Sequence, residues 1–189
     1  YIRALRDAGE VRDEVYLKKK DGSPILCQRV ASARRDASGE VVRIQGIVRD
    51  VTAERKAQRE LHESEEKYRS LFENSVAPIS LISTEGRVLE ANPAWFELFG
   101  YSPADLEHLN VGSQYAEPGG RARFLERIRT EGRLVDDEVQ LKRRDGVVLD
   151  ILRSVTVRRN ADGTIAGFDN VFRDITAQKK AERALRELS

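Results

Sequence analysis

Apolar and polar residues alternate with a period of two over three stretches in the second half of the chain. These stretches run from Val135 to Lys142, from Val147 to Arg158 and from Ile165 to Phe172. Turns at Asp145-Gly146 and at Asn160 to Gly163 separate them, which is typical of hairpins in an antiparallel sheet. In the first strand the alternation predicts that Val135, Val139 and Leu141 share one face.

A helix is predicted directly after the third strand. From Thr176 to Ser189 the chain has neither glycine nor proline and is rich in Ala, Lys, Glu and Arg. Either Asp174 or Thr176 can cap the free amide groups at its start. Strand therefore gives way to helix at Asp174-Ile175-Thr176.

The same pattern occurs a second time, nearer the N-terminus. Arg49-Asp50-Val51-Thr52-Ala53 recurs 124 positions later as Arg173-Asp174-Ile175-Thr176-Ala177, and Asp21-Gly22 recurs as Asp145-Gly146. No gap is needed to align the two copies. The first copy has no counterpart of residues 71–123, so we expect the chain to start in the middle of a unit and to be a piece of a longer protein. The lack of methionine at position 1 agrees with this expectation.

The stretch before the second copy predicts the front half of a complete unit. Ala77 to Ser83 and Arg87 to Ala91 are predicted as short strands, and Asn92 is a predicted N-cap before a short helix that ends at Gly100. A second helical start follows at 102–105, and a third helix is predicted from Arg121 to Thr130. The fold class is therefore α+β, a five-stranded antiparallel sheet with helices on one face.

Between the two copies the pattern predicts a long connecting helix, from Thr52 to about Asn74. Apolar or small residues recur along it at spacings of four and three, which is the alternation of a two-stranded coiled coil. The alternative is an amphipathic helix that lies on its own sheet. The start of the pattern recurs at Ala181, Leu185 and Leu188. The seam that would form a homodimer consists of Ala57, Leu61, Ser64, Tyr68 and Leu71.

Three segments together resemble the PAS domain with its C-terminal PAC motif: Glu85 to Ser102, Lys142 to Gly146 and Arg173 to Thr176. The resemblance implies sensory and dimerising modules, often in tandem, that are joined by helices to outputs such as histidine kinases or cyclic-dinucleotide enzymes. It suggests four divisions of the chain. They are the back half of a first domain (1–51), a connecting signalling helix (52–74), a complete second domain (68–176) and the start of an output helix (177–189).

Composition narrows the range of partners. The 189 residues carry 33 Lys and Arg against 32 Asp and Glu, a net charge of +1, so no single-sign field points to nucleic acid or to a membrane surface. No apolar run approaches the ~20 residues that cross a bilayer. The single cysteine, Cys27, forms no internal disulfide framework, and together with the lack of a leader sequence this favours a cytoplasmic setting.

The resemblance suggests several cofactors, and each of them requires particular residues in the sequence. Flavin photosensing needs a reactive cysteine near the ring, but Cys27 lies on a strand of the incomplete copy. Haem needs an axial ligand, and the predicted helix from Arg121 to Thr130 has no histidine. Two isolated histidines do not build a metal site. We therefore expect no haem, flavin or structural metal, and no catalysis within this segment, although an output enzyme could lie outside it.

Arg153 is the polar residue of the sheet whose predicted position is most informative. It lies at the same alternate positions as Leu149, Ile151, Val155 and Val157, so it is predicted to face the concave side of the sheet with them. A three-residue turn with a left-handed Gly146 keeps the apolar faces of the two strands together and places Asp137 opposite Arg153. A two-residue turn would oppose Glu138 instead and set those faces against each other. The first copy repeats the pair as Asp13 and Arg29.

Two interpretations of Arg153 stay open. It pairs with Asp137 as a cross-strand ion pair near the open end of the sheet, with an energy of about 1 kcal/mol or less. Alternatively, its guanidinium reaches into a pocket and binds a small anionic ligand such as a carboxylate. The predicted pocket residues are Phe96, Phe99, Phe124, Ile151, Arg153, Phe168, Asn170 and Phe172.

The functional hypothesis is a sensor that passes a packing change through the strand-to-helix junction to a downstream output domain in cis. Its junction residues are Asp174 and Thr176 in the second copy and Asp50 and Thr52 in the first. The competing hypothesis is a purely structural dimerising spacer without a ligand. In either case the three-stranded first sheet exposes an apolar face without its helices and is only marginally stable alone. We expect a second chain, a swapped element or the connecting helix to cover it.

Overall fold

A computed structural model describes residues 7–187. The described part of the chain divides into two compact units, residues 7–67 and 68–187. In the first unit, strands β1 (Glu10–Lys18), β2 (Pro24–Arg35) and β3 (Val41–Asp50) form an antiparallel sheet in that order. Helix α1 (Thr52–Glu73) follows β3 and continues into the second unit. Leu188, which was assigned to a repeat of the seam, lies outside the described residues.

The elements of the second unit are β4 (Ile79–Ile82), β5 (Val88–Ala91), α2 (Pro93–Phe99), α3 (Gly120–Glu131), β6 (Arg133–Lys142), β7 (Val148–Arg159), β8 (Ile165–Asp174) and α4 (Thr176–Glu187). The strands form an antiparallel sheet in the order β5-β4-β8-β7-β6, and α2 and α3 pack against one face of it. Single-turn 3₁₀ helices at Pro103–Glu107 and Val111–Gln114 join α2 to α3. The predicted α+β class is confirmed.

The two copies fold alike. Strands β2 and β7 begin and end at positions 124 apart, and so do β3 and β8. Helices α1 and α4 start 124 apart as well. The repeat found in the sequence is therefore a repeat of structure.

One prediction about β6 is wrong, because the strand contains a bulge that the alternation does not reveal. The register shifts between Leu134 and Asp137, and Asp136 takes a left-handed backbone with φ 51°. As a result Leu134 is buried, whereas Val135, which was predicted to face inward, is exposed. Strand β1 pairs with β2 without such a shift, so the two copies differ here by one inserted residue and do not align without a gap.

The hydrophobic core of the second unit lies between the sheet and the helices. Trp95 and Phe99 from α2 and Phe124 and Ile128 from α3 are buried against the inner face of β7 and β8. Asn92 caps α2 through its side-chain oxygen, as predicted, at 3.0 Å from the Trp95 amide nitrogen. This core fixes the helix that faces Arg153.

Within residues 7–67, the inner face of the first sheet is not covered by helices as that of the second sheet is. Ile44 and Val48 correspond to Phe168 and Phe172, which are buried in the second unit, but they are 49% and 53% exposed. No described strand pairs with the outer edge of β3, where β8 pairs with β4. What covers this sheet in the assembled protein stays a prediction.

Candidate functional site

Arg153 and Asp137 form a buried ion pair on the inner face of the second sheet. They are direct partners in the β6–β7 register, and Gly146 in the connecting turn has φ 85°. Arg153 Nε donates to Asp137 Oδ2 at 2.9 Å, and the two side chains are 6% and 7% exposed. The predicted register is confirmed. However, the pair is far more buried than a pair at the open end of the sheet would be, so energies of exposed ion pairs do not apply to it.

Further contacts fix the arginine in place. Its Nη1 donates to the Tyr115 hydroxyl oxygen at 2.7 Å, and its guanidinium carbon lies 4.6 Å from the centre of the Phe124 ring. Asp137 also accepts a hydrogen bond from Arg127 on α3. One buried carboxylate therefore serves two guanidinium groups from different elements.

The corresponding pair in the first unit is more open. Arg29 Nη2 lies 2.6 Å from Asp13 Oδ2 across the β1–β2 register, and the side chains are 22% and 36% exposed. The hydrogen bond from Arg29 lowers the pKa of Asp13. The same sequence pattern thus builds a buried pair in one unit and a partly solvated pair in the other.

Two spaces adjoin Arg153 in the second unit. A cleft of about 410 Å³ opens beside α3, β6 and β7, and its charged lining includes Arg123, Arg127, Asp137, Glu138 and Asp150. A much smaller cavity of about 10 Å³ lies deeper in the core. Its polar lining consists of Ser80, Gln114, Tyr115, Arg121, Arg153 and Asn170.

The structure distributes the predicted pocket residues over these spaces and the core. Phe124, Ile151 and Arg153 line the cleft, whereas Asn170 and Phe172 line the small cavity together with Arg153. Phe99 and Phe168 are packed in the core and line neither space, and Phe96 is only partly buried.

Sequence reasoning missed four polar residues of the small cavity: Ser80, Gln114, Tyr115 and Arg121. Gln114 and Tyr115 belong to the irregular segment before α3, where no periodicity assigns a face. Ser80 lies between the apolar residues Ile79 and Leu81 on β4, so a simple alternation assigns it to the solvent face, whereas the structure buries it on the face of Ile82. Arg121 lies in the first turn of α3, where a charged residue is ordinarily expected to be solvated.

The strand-to-helix junction has the same hydrogen bonds in both units. Asp174 Oδ1 accepts from the Thr176 amide at 2.8 Å, and Asp50 Oδ1 accepts from the Thr52 amide at 2.9 Å. Each threonine hydroxyl accepts from a backbone amide of the strand that pairs with the last strand, that of Asp150 on β7 at 3.0 Å and that of Leu26 on β2 at 2.8 Å. The bonds from Thr52 lower the pKa of Asp50.

Ion pairs hold each helix against its own sheet. Lys179 Nζ lies 2.7 Å from Glu138 Oε2, and Arg183 Nη2 lies 3.2 Å from Asp150 Oδ2. Arg55 pairs with Glu14 at the positions equivalent to Lys179 and Glu138. The two copies therefore share the helix contact as well as the cap.

The predicted seam of α1 is exposed. Leu61, Tyr68 and Leu71 are 60%, 50% and 66% exposed, and α1 has no buried residue. Tyr68 also donates a hydrogen bond to Glu90 at 3.2 Å and stacks on Phe72. The apolar stripe is thus available along most of the helix.

A family model described as PAS fold matches residues 66–175, more than half of the chain. A second, described as PAS domain, matches residues 1–53. The chain belongs to the PAS family. Its PAS domains are sensory signalling modules.

The curated relatives are long signalling enzymes. The chain is 29% identical over 129 residues to the sensor histidine kinase TmoS of Ectopseudomonas mendocina, which covers 66% of this chain and 13% of that kinase. It is 31% identical over 143 residues to the probable diguanylate cyclase DgcE of Escherichia coli, which covers 72% of this chain and 12% of that cyclase. The chain thus spans about an eighth of the length of these relatives.

Solved structures support the fold. A PAS domain from Colwellia psychrerythraea superposes with a TM-score of 0.54 at 18% identity, over 59% of this chain and 97% of that one. An RNA-binding Light-Oxygen-Voltage receptor superposes with a TM-score of 0.52 at 12% identity, over 99% of this chain and 84% of that one. A sensory-box histidine kinase domain from Geobacter sulfurreducens, 28% identical, reaches 0.50 over 60% and 96%.

The described residues contain neither a metal-ligand cluster nor a membrane-spanning helix. No group of three or more His, Cys, Asp or Glu side chains within residues 7–187 is arranged to hold a metal ion. None of the helices in that range is both long and apolar enough to pass through a membrane.

Proposed function

We propose that this chain is a sensory and dimerising module that relays packing changes in its second PAS domain, through α4, to an output domain in cis. The observation that carries the proposal is the junction, where Ile175 donates its amide to Asp150 O at 2.9 Å and Thr176 bonds to the same residue. Because these hydrogen bonds join the start of α4 directly to β7, a shift of β7 moves the start of α4. We assign residues 177–189 to the output helix and 52–74 to the connecting helix between residues 1–51 and 68–176.

The cleft beside Arg153 provides a route to that junction. Glu138 and Asp150 line the cleft and also hold Lys179 and Arg183 of α4. Ile175 lines it as well. A change in the occupancy or packing of the cleft therefore acts on the groups that position the helix, and this is the differential contact that a two-state relay needs.

Removal of the junction cap tests the relay. We expect Asp174→Ala to weaken the first turn of α4 by about 1 kcal/mol, because the Thr176 amide loses its acceptor. The amides of α4 should then exchange with solvent about fivefold faster, measured by hydrogen exchange on the whole chain. With the chain fused in helical register to a histidine-kinase core, the variant should also change the autophosphorylation rate.

The chain provides a matched control in the β7–β8 turn. Asp162 Oδ1 accepts from the Thr164 amide at 2.9 Å, so Asp162→Ala removes the same kind of contact away from any helix. We expect this control to leave both α4 exchange and kinase output unchanged. Equal behaviour of the two variants would contradict the relay.

A second test concerns the homodimer that we propose through Ala57, Leu61, Tyr68 and Leu71. Leu61→Glu places a charge within the seam. It should convert a dimer into a monomer in sedimentation, since a charged side chain cannot pack against the apolar stripe of the second helix. Ser70→Glu adds the same charge on the opposite side of α1 and should leave the dimer intact. A wild-type chain that sediments as a monomer at every concentration would refute the seam.

A further inference from the structure

The small cavity in the core of the second PAS domain is built for one small occupant. It measures about 10 Å³ and is lined by side chains from β4, β7, β8 and the segment that leads into α3. Ser80 and Asn170 face each other across the β4–β8 register, and Tyr115 and Arg121 approach from the helical side. A space of this size holds about one water-sized species.

Two of its polar groups have no partner within the described residues. Ser80 Oγ and Gln114 Nε2 make no hydrogen bond, although Ser80 is fully buried and Gln114 is 4% exposed. The Gln114 amide is close enough to the Tyr101 hydroxyl to lower the pKa of that phenol, against the larger raising effect of burial, but forms no bond of ordinary geometry. Since buried polar groups are almost always paired, these two point to an occupant.

The charge at the cavity is positive. The guanidinium carbons of Arg121 and Arg153 lie 5.0 and 4.6 Å from the centre of the same Phe124 ring. Arg153 has Asp137 as a partner, but Arg121 forms no ion pair with a described carboxylate. Its neighbours are neutral: it donates to Thr84 O at 3.5 Å, lies beside the Tyr115 hydroxyl and stacks over the Phe124 and Phe168 rings. No Asp or Glu is among the described residues that line the cavity.

The pKa of Arg121 is lowered, as expected for a guanidinium without a counter-charge. Desolvation is the main cause that lowers its pKa, and the neighbouring charge of Arg153 lowers it further. The Tyr115 hydroxyl acts in the opposite direction. A partly buried cation beside a second cation is costly unless an anion compensates it.

We propose that this cavity binds a single chloride-sized monovalent anion. Gln114 Nε2 and the Ser80 hydroxyl supply hydrogen bonds to it, and Arg121 and Arg153 supply the charge. A water molecule could satisfy the two orphaned groups, but it leaves the charge of Arg121 uncompensated. The site does not depend on the relay proposed above, since it rests on the interior of one domain.

Bromide is the direct probe. Crystals of the 189-residue chain grown with sodium bromide should show one anomalous peak beside Ser80 Oγ and Gln114 Nε2. The peak should be lost in Arg121→Met, which keeps the length of the side chain without its charge. It should persist in Arg123→Met, a matched change on an exposed arginine of the same helix. A cavity that holds only water, or a peak that is unaffected by Arg121→Met, would overturn the proposal.

Thermal unfolding gives an independent readout in solution. At constant ionic strength, replacing gluconate, which is too large for the cavity, by chloride at ten times its dissociation constant multiplies the folded-to-unfolded ratio by about eleven. For a domain of this size we expect Tm to rise by roughly 5–10 °C. Gln114→Glu supplies a fixed negative charge and should abolish the difference between chloride and gluconate. Equal Tm values for the wild type in the two salts would contradict anion binding.

Discussion

Replacement of Asp137 by alanine is expected to destabilise the second PAS domain by about 3–5 kcal/mol, the range observed when one partner of a buried ion pair is removed. Asp137 is 9% exposed and accepts hydrogen bonds from both Arg153 and Arg127. Without it, Arg153 is left in the core with only the Tyr115 hydroxyl as a partner. The loss should appear in urea unfolding as a lower midpoint at an unchanged slope.

Two control variants distinguish the effect of burial on stability from the effect of losing a charge. Glu131→Ala removes an exposed partner of Arg127 and should change stability by about 0.5 kcal/mol or less. Asp13→Ala removes the equivalent carboxylate from the first unit, where the pair is partly solvated, and should leave the unfolding of the second domain unchanged. If Asp137→Ala cost no more than Glu131→Ala, the pair would contribute as little as a surface ion pair.

The surroundings of Asp137 were predicted from the sequence only in part. The apolar alternation and the Arg144-Asp145-Gly146 turn were enough to predict the register of Asp137 with Arg153, because a one-residue slip would have turned the apolar face outward. They did not predict the bulge directly before Asp137. A bulge needs only one residue, here Asp136, to leave the extended conformation, and nothing in the local pattern marks it.

The junction was predictable for a different reason. The sequence Asp-x-Thr at the end of a strand and the start of a helix carries its own capping chemistry, and it occurs twice at the same spacing. Contacts that join distant segments carry no such signal. Tyr115 reaches Arg153 over 38 positions, and Arg121 reaches the Phe168 ring from α3. These contacts follow from how the irregular segment before α3 folds back over the sheet.

The two ends of the second domain are fixed by different chemistry. The outgoing helix is held by the cap at Asp174 and by ion pairs, all of them at least partly exposed to solvent. The end of α1 is held by the buried side chain of Asn92, whose Nδ2 donates to Phe72 O at 3.2 Å. The outgoing contacts can therefore be exchanged for contacts with water at low cost, whereas the incoming one cannot. This asymmetry is consistent with the proposed relay, in which α4 shifts while the end of α1 stays in place.

Asn92→Ala is accordingly expected to destabilise the second domain by about 2–4 kcal/mol, since a cap and several buried backbone groups lose their partner together. Asn92 Oδ1 accepts from the Ile79 amide at 2.9 Å and from the Trp95 amide at 3.0 Å. Its Nδ2 donates to Ala77 O at 2.9 Å as well as to Phe72 O. The loss should be measured by urea unfolding, together with faster amide exchange in β4 and in the first turn of α2.

Asn110 provides the matched control, because it caps a helical turn in the same way but is exposed. Its Oδ1 accepts from the Gly112 amide at 2.9 Å and its Nδ2 donates to Glu85 O at 3.0 Å. Asn110→Ala should cost about 1 kcal/mol, since water replaces the lost partners. Equal costs for the two alanine variants would show that burial of Asn92 adds nothing, and that the end of α1 is not fixed through this side chain.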